Sequence, residues 1–132
     1  MADIMKLHII TPNRDFYQGD VTMVELTTTE GQIGIYPNHI PLTAVVSPGV
    51  LKIHEEGQTL EAALLSGFVT IFPEEVIIMA ETVEWPDEID FSRAEEARVR
   101  AERRITMNSN EIDIMRAEMS LKRALVRLEL KH

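Results

Sequence analysis

The first 85 residues alternate between apolar and polar positions with the period of two that is typical of half-buried β-strands. Met5, Leu7 and Ile9 alternate with polar neighbours, and so do Val24 and Leu26. The same pattern predicts five further strands, at 42–46, 50–54, 59–65, 68–72 and 76–80. Turn signals that contain Gly or Pro separate these strands and interrupt every window long enough for a helix. This part of the chain therefore predicts an all-β sandwich or flattened barrel.

The last third of the chain has the helical period, and it repeats itself. Residues 89–105 match residues 112–128 at 8 of 17 positions, with an offset of 23 residues. In the first copy Ala94, Ala97 and Ala101 lie on one face of a helix, and the second copy has small side chains at the same three positions. Two such faces predict a closely packed antiparallel hairpin of two helices.

The boundary between the two parts is predicted at Trp85-Pro86, because proline disfavours helix at the residue before it. We therefore assign residues 1–85 to the β domain and 86–132 to the hairpin, with a turn at 106–110. The small faces bury little apolar area, so we expect a marginal hairpin that needs the β domain, a ligand or a partner to stay closed. Larger side chains are expected to fill its ends or to pack on the β domain: Ile105, Ile112, Met115, Met119, Leu121, Leu125 and Leu128.

The net charge of −9 is unevenly distributed. Residues 1–85 carry 12 acidic and 3 basic side chains, whereas residues 86–132 carry 10 of each and include 8 of the 9 arginines. The acidic β domain argues against nucleic acid as a partner, and the neutral hairpin is not a polybasic membrane anchor. There is no cysteine, no apolar run of transmembrane length and no signal-peptide pattern, so we expect a protein that faces the cytosol.

The arginines of the repeat have a spacing of their own. Arg93, Arg100 and Arg104 lie within about 20° of one line on a helix, and the second copy repeats that line. One interpretation is a solvated face with ion pairs one turn apart, and these would be Glu96 with Arg100, Arg98 with Glu102, and Glu118 with Lys122. The other is an anion site, in which aligned guanidinium groups bind phosphate oxygens.

Other candidate chemistry is weak. The four histidines do not have the spacing of metal ligands, and no carboxylate is paired with a nucleophile. Gly31–Gly34 lacks the Gly-Lys-Ser/Thr ending of a phosphate loop, and Ser66-Gly67 fits a turn or bulge better than a nucleophile elbow. The residues give no case for an enzyme.

Several motifs together resemble the epsilon subunits of F-type ATP synthases, over essentially the whole chain. They are Thr11-Pro12, GQIGIYPNHIPL at 31–42, Pro48-Gly49-Val50, Ser66-Gly67-Phe68 and IDFSRA at 89–94. The last motif is typical of the bacterial branch whose members bind ATP. One departure is Gln32, where the family often has Glu in a loop expected to face the rotor ring.

The resemblance implies a rotor, or central stalk, subunit that couples proton flow to ATP synthesis and catalyses nothing itself. The sandwich would bind the gamma subunit and the c-ring. The hairpin would switch between a folded state and an extended state that reaches the alpha/beta catalytic head and inhibits ATP hydrolysis. The protein would then be peripheral to the cell membrane, on its cytoplasmic side.

The resemblance also implies site residues. ATP would be a regulatory ligand of the folded hairpin, with no metal required, at Glu84, Ile89, Asp90, Arg93, Ala94, Arg100, Arg123 and Arg127. Asp90 could instead only cap its helix. Partner binding is expected at Gly31, Gln32 and His39. The alternatives are a free-standing ATP sensor and a helical-hairpin interaction module.

Overall fold

The structure is a computed structural model that describes residues 3–107 and 110–132. In this part of the chain eight strands precede a short 3-10 helix, Pro86–Glu88, and two α-helices. The strands are β1 Met5–Ile10, β2 Asp15–Val21, β3 Met23–Thr28, β4 Gly31–Ile35, β5 Leu42–Val45, β6 Gly49–Glu55, β7 Gln58–Ile71 and β8 Glu75–Glu84. The helices are α1 Phe91–Met107 and α2 Glu111–Glu129. The predicted fold class, a β-sandwich followed by a two-helix hairpin, is confirmed.

The long strand β7 holds the sandwich together. Its first half pairs with β6, and its second half pairs with both β5 and β8. The remaining order is β2-β1-β8 on one side and β6-β3-β4 on the other, with β1 parallel to β8. Because successive side chains of a strand point to opposite faces, the alternating residues Leu7, Ile9, Val24 and Leu26 all enter the apolar core.

Three strand predictions were incomplete. The strands β2 and β4 were not predicted, because β2 lacks strict alternation and β4 contains two glycines. Residues 59–65 and 68–72 were predicted as separate strands, but all except Phe72 lie in β7, which bulges at Ser66 and Gly67. Gly67 has φ +141°, and a Cβ there would lie 2.2 Å from the carbonyl oxygen of Met79. The bulge therefore requires glycine.

The hairpin closes through its small side chains. Ala94, Ala101, Ala117 and Ala124 are almost completely buried, as the repeat predicted. The turn is shorter than predicted: α1 continues to Met107, so the first two residues of the predicted turn are helical, and residues 108–109 lie outside the described part. Asn110 caps α2, as expected for a residue of this turn, because its side chain accepts hydrogen bonds from two backbone N–H groups of the first turn.

The hairpin packs on the sandwich mainly through the end of α2. Val126 and Leu130, together with Ile89, form a small apolar cluster with Ala63 and Leu65 of β7. The larger side chains in the first half of α2 do not take this role. Ile112, Met115, Met119 and also Leu125 are exposed, so that expectation was wrong for these four residues. The reason is that the contacts between α2 and the strands are few, mainly with β6 and β7, and that the apolar ones are made by Val126 and Leu130 at its end.

No helix in the described residues combines the length and the apolar character needed to span a membrane.

Candidate functional site

The site lies where the last strand of the sandwich meets the start of α1. Strand β8 ends at Glu84, the 3-10 helix Pro86–Glu88 follows, and Ile89 continues in an extended conformation. Asp90 then caps α1, because its Oδ1 accepts the backbone N–H of Arg93 at 3.0 Å. A proline at the first position of the 3-10 helix and an aspartate before α1 thus mark where the sandwich ends and the hairpin begins.

A cleft of about 420 Å³ opens between this connection and the end of α2. Its volume falls within the range of about 300–1,000 Å³ that is usual for small-molecule sites. The carboxylates of Glu84, Glu88 and Asp90 line it, together with three guanidinium groups and two alanines. The guanidinium groups belong to Arg93, Arg100 and Arg127, and the alanines are Ala94 and Ala97.

One of the three guanidinium groups already has an acidic partner. The Nε of Arg127 donates to Oε1 of Glu84 at 2.7 Å, and its Nη2 donates to Oε2 at 3.4 Å. Both side chains are about 70% buried, with relative exposures of 28% and 29%. This ion pair joins α2 to β8, so it connects the hairpin to the sandwich along one wall of the cleft.

The other two guanidinium groups are open to a ligand. Among the described residues, neither Arg93 nor Arg100 forms a side-chain ion pair. Arg98, on another face of α1, is instead bound by Glu95 and by Glu102, the latter at 2.6 Å. These hydrogen bonds, first that with Glu95, raise the pKa of Arg98. Free guanidinium groups that line a cleft can bind a phosphate or carboxylate through paired hydrogen bonds.

Of the three ion pairs predicted within the helices, one is present. Arg98 pairs with Glu102 as expected. The pair of Arg100 with Glu96 does not form within the described residues, because Arg100 lines the cleft. The pair of Lys122 with Glu118 is also not found there: Lys122 donates to the Ser47 hydroxyl of the sandwich at 3.0 Å. The arginine face near the cleft is therefore not a regular array of surface ion pairs.

The structure brings six of the eight predicted ligand-binding residues to the wall of this cleft: Glu84, Asp90, Arg93, Ala94, Arg100 and Arg127. Ile89 is instead buried in the cluster beneath the hairpin. Arg123 lies outside the wall and donates to the hydroxyl of Ser120 at 3.2 Å. Glu88 and Ala97 were not predicted as ligand-binding residues. The position of Ala97 on the small-residue face of the repeat could have indicated it, and the acidic residues at the start of the helical part could have indicated Glu88.

Glu88 is fixed from two sides. Its Oε1 accepts the backbone N–H of Trp85 at 2.9 Å, and both of its oxygens accept from Arg14. The hydrogen bond from Trp85 has the largest effect on the pKa of the Glu88 carboxyl and lowers it. Burial opposes this effect, Arg14 adds to the lowering, and the pKa stays below its ordinary value. The Glu88 carboxyl at this wall is therefore ionised at neutral pH, with its charge paired by Arg14.

The residues predicted to bind partners are distributed differently from the expectation. Gly31 and Gln32 belong to strand β4 and not to a loop, so the predicted loop position of Gln32 was wrong. Gln32 lies opposite Thr27 in the ladder of β3 and β4. His39 does lie in the loop after β4, where its ring Nδ1 is 2.6 Å from the carbonyl oxygen of Ile40.

No group of His, Cys, Asp and Glu among the described residues has an arrangement that could hold a metal ion.

Comparison with known proteins decides the family. The model of the ATP synthase delta/epsilon chain β-sandwich domain matches residues 4–86, and that of the long α-helix domain matches residues 87–131. The chain belongs to the epsilon-chain family of ATP synthases. As a member of that family it is a non-catalytic subunit of the complex.

The epsilon chain of Caldanaerobacter subterraneus subsp. tengcongensis is 43% identical to this chain over 131 residues, covering 98% of this chain and 95% of the relative. That of Halalkalibacterium halodurans is 42% identical over 128 residues, covering 96% of each.

Solved structures show the same fold at lower identity. A chain of the Euglena gracilis mitochondrial ATP synthase matches with a TM-score of 0.82 and 21% identity, covering 96% of this chain and 79% of that chain. A chain of the central stalk and c-ring of the Tetrahymena thermophila enzyme matches with a TM-score of 0.71 and 14% identity, covering 95% and 94%.

Proposed function

We propose that this epsilon chain is a rotor subunit of the central stalk of an F-type ATP synthase, where it helps couple proton flow to ATP synthesis. We further propose that its hairpin senses ATP and, when released from the sandwich, inhibits ATP hydrolysis. In this proposal ATP is a regulatory ligand held by protein groups alone, with no resident metal. The subunit is peripheral to the cell membrane, on the cytoplasmic side.

The observation that carries the proposal is that both parts of the chain form the cleft. Glu84 and Glu88 belong to the end of the sandwich and the connection after it, whereas Arg93, Arg100 and Arg127 belong to the hairpin. A ligand held between these walls gains its contacts only while the hairpin is docked. Binding therefore shifts the equilibrium toward the docked state by mass action.

The energies are of a size that a ligand can change. Docking buries three aliphatic side chains, Ile89, Val126 and Leu130, which contribute about 1.5–3 kcal/mol each before the entropy of ordering is subtracted. A ligand at a hundredfold excess over its Kd adds about 2.7 kcal/mol. The ligand term is comparable with one anchoring side chain, so ATP shifts the balance between docked and released states once the entropy of ordering has offset most of the apolar gain.

Release would also expose the same arginines to a different anion. Arg93 and Arg100 have no acidic partner within the described residues, so they are free to meet carboxylates of another protein when the cleft opens. We propose that those carboxylates belong to the alpha/beta catalytic head. ATP and the catalytic head then compete for one set of positive charges.

The outer face of the sandwich has a feature that suits the gamma subunit as a partner. Val45, Phe68 and Met79 lie side by side on adjacent strands β5, β7 and β8, in the register Val45–Phe68–Met79. All three are about half exposed, and the shallow depression they border is mainly apolar. Contiguous exposed apolar patches often mark surfaces on which another protein docks. We propose that gamma covers it, and that the region of Gln32 and His39 meets the c-ring.

The nucleotide proposal is tested by calorimetry of ATP binding to the isolated full-length chain. Arg93→Ala and Arg100→Ala should each raise Kd about tenfold or more, because each removes charge-assisted hydrogen bonds. Arg103→Ala is the matched control: it removes an exposed arginine of the same helix that does not line the cleft, and it should leave Kd within about twofold. Equal affinities for all four proteins would reject the cleft as the ATP site. A chain that binds ATP but fails to capture purified gamma subunit would support the free-standing sensor instead.

A further inference from the structure

An ion pair outside the helices ties the connection after β8 to the sandwich. The Nη2 atom of Arg14, in the turn between β1 and β2, donates to Oε1 and Oε2 of Glu88 at 2.8 and 2.7 Å. The two residues are 74 positions apart in sequence. The same carboxylate accepts the backbone N–H of Trp85, so the Glu88 side chain both caps the start of the 3-10 helix and binds this helix to Arg14 of the sandwich.

Arg14 is itself held in place by the turn that carries it. Its backbone N–H donates to the Thr11 hydroxyl at 3.0 Å, and its carbonyl oxygen accepts the Thr11 backbone N–H at 2.9 Å. Its guanidinium carbon lies 5.1 Å from the centre of the Phe16 ring. The same ring also stacks on Trp85, at a centroid distance of 4.2 Å. Arg14, Phe16, Trp85 and Glu88 therefore form one polar and aromatic clamp.

The clamp ends where the hairpin begins. Ile89 has an extended backbone, with φ −83° and ψ 128°, and Asp90 already caps α1. The backbone torsions of these two residues are thus the joint between a segment fixed to the sandwich and the capped helix. Since Glu88 and Asp90 both line the cleft, a change at the joint moves one cleft wall relative to the other.

We propose that Arg14 is a positioning residue for the nucleotide cleft: through Glu88 it keeps residues 85–88 on the sandwich, so that the hairpin pivots at Ile89 and Asp90. Arg14 does not itself line the cleft, so its proposed effect on the ligand is indirect. The inference rests on the proposed nucleotide function. In physical terms, the clamp stays closed in both the docked and the released states. Asp90 and Arg93 therefore take the same position relative to the sandwich each time the hairpin docks.

The experiment is a double-mutant cycle on ATP affinity with the full-length chain, comparing the wild type, Arg14→Met, Glu88→Gln and the double variant. Methionine retains an apolar stem over Phe16, and glutamine retains an oxygen that can accept the Trp85 N–H. Each single variant should raise Kd about threefold to fivefold, as expected for a partly exposed ion pair. The double variant should be no weaker than the weaker single variant. Arg98→Met, which breaks two ion pairs lying within α1, is the control and should leave Kd unchanged.

A second readout separates positioning from general loss of stability. Amide hydrogen exchange at Trp85 and Glu88 should accelerate in Arg14→Met, while exchange in the core strands stays as in the wild type. If Arg14→Met does not fold, Arg14→Lys replaces it, and a smaller rise in Kd of about twofold is expected because the paired geometry is lost but the charge remains.

Each outcome has a distinct meaning. Wild-type protein that binds no ATP overturns the proposed nucleotide function, and the positioning role with it. Wild-type protein that binds ATP, with Arg14→Met or Arg14→Lys of equal affinity, overturns the positioning role alone. Additive effects of the two single variants also overturn it, because the two side chains would then act separately.

Discussion

Leu130 anchors the hairpin to the sandwich, and its truncation gives the sharpest test of the docking equilibrium. It is 2% exposed, in the cluster with Val126 and Ala63. Leu130→Ala removes three carbon groups from that cluster, which at about 0.8 kcal/mol each weakens docking by about 2.4 kcal/mol before any cavity term. A change of that size shifts the ratio of docked to released hairpin about sixtyfold. At a hundredfold excess over Kd, ATP contributes about 2.7 kcal/mol, so it should restore docking in the variant.

The assay uses the absence of cysteine in this chain. Two dyes on introduced cysteines, Glu56→Cys in the turn between β6 and β7 and Met107→Cys at the end of α1, report the distance between sandwich and hairpin by energy transfer. Leu125→Ala is the control, since Leu125 is 43% exposed on α2, the helix that Leu130 follows directly. Identical distance distributions for Leu130→Ala and Leu125→Ala would show that Leu130 does not anchor the hairpin. Failure of saturating ATP to shift Leu130→Ala toward the docked distance would show that ATP does not stabilise the docked state.

Three further predictions follow from the same contacts. In the dye assay, Asp90→Asn should leave the docked fraction unchanged, because asparagine caps a helix as well as aspartate does. Asp90→Ala should weaken docking by about 1 kcal/mol. Equal weakening by both variants would assign Asp90 a role that needs its charge. The pKa of Glu88 is lower in the folded state than its ordinary value. The ionised carboxylate therefore stabilises the fold fully above the ordinary carboxyl pKa of about 4.3, and this stabilisation is lost as the pH falls through the lower folded-state pKa. Thermal unfolding between pH 7 and pH 3 should therefore show a smaller acid-induced decrease in Tm for Glu88→Gln than for the wild type, and identical decreases would contradict the assignment. Phe68→Ser should weaken capture by purified gamma subunit about tenfold and leave ATP affinity unchanged, whereas Val99→Ser, at an exposed apolar position on α1, should alter neither; normal capture by Phe68→Ser would exclude this face as the docking surface.

The strand pattern was sufficient where burial on one face imposed strict alternation. Met5, Leu7 and Ile9 are all buried, and each was identified from its polar neighbours alone. The pattern was insufficient for β4, whose glycines resemble a loop when read in isolation. Pairing of Val24 with Ile35 and of Leu26 with Ile33 shows why this segment is a strand: β3 supplies its hydrogen bonds. The propensity of a segment taken alone does not include the hydrogen bonds that a neighbouring strand supplies.

The residues of the candidate site could largely be predicted from the sequence, but the contacts between them could not. The repeat located Arg93, Arg100 and Arg127 on the arginine lines of the two helices, and the family resemblance added Glu84 and the role of these residues as ATP ligands. Neither the repeat nor the resemblance could show that Arg127 forms an ion pair with Glu84, whereas Arg93 and Arg100 have no acidic partner among the described residues. That distribution depends on how α2 lies against β8, which is a property of tertiary packing.

The sequence by itself determined the two parts of this protein, the small-residue faces that close the hairpin, and the concentration of arginine in its helices, because periodicity and side-chain size act over a few residues. Only the tertiary structure decided that the hairpin is anchored by Val126 and Leu130 and not by the methionines of α2, and that Arg14 reaches Glu88 across 74 positions of the chain. Such contacts depend on the angle at which the helices leave β8. That angle is set by the sum of many weak interactions between segments remote in sequence, and no local pattern records it.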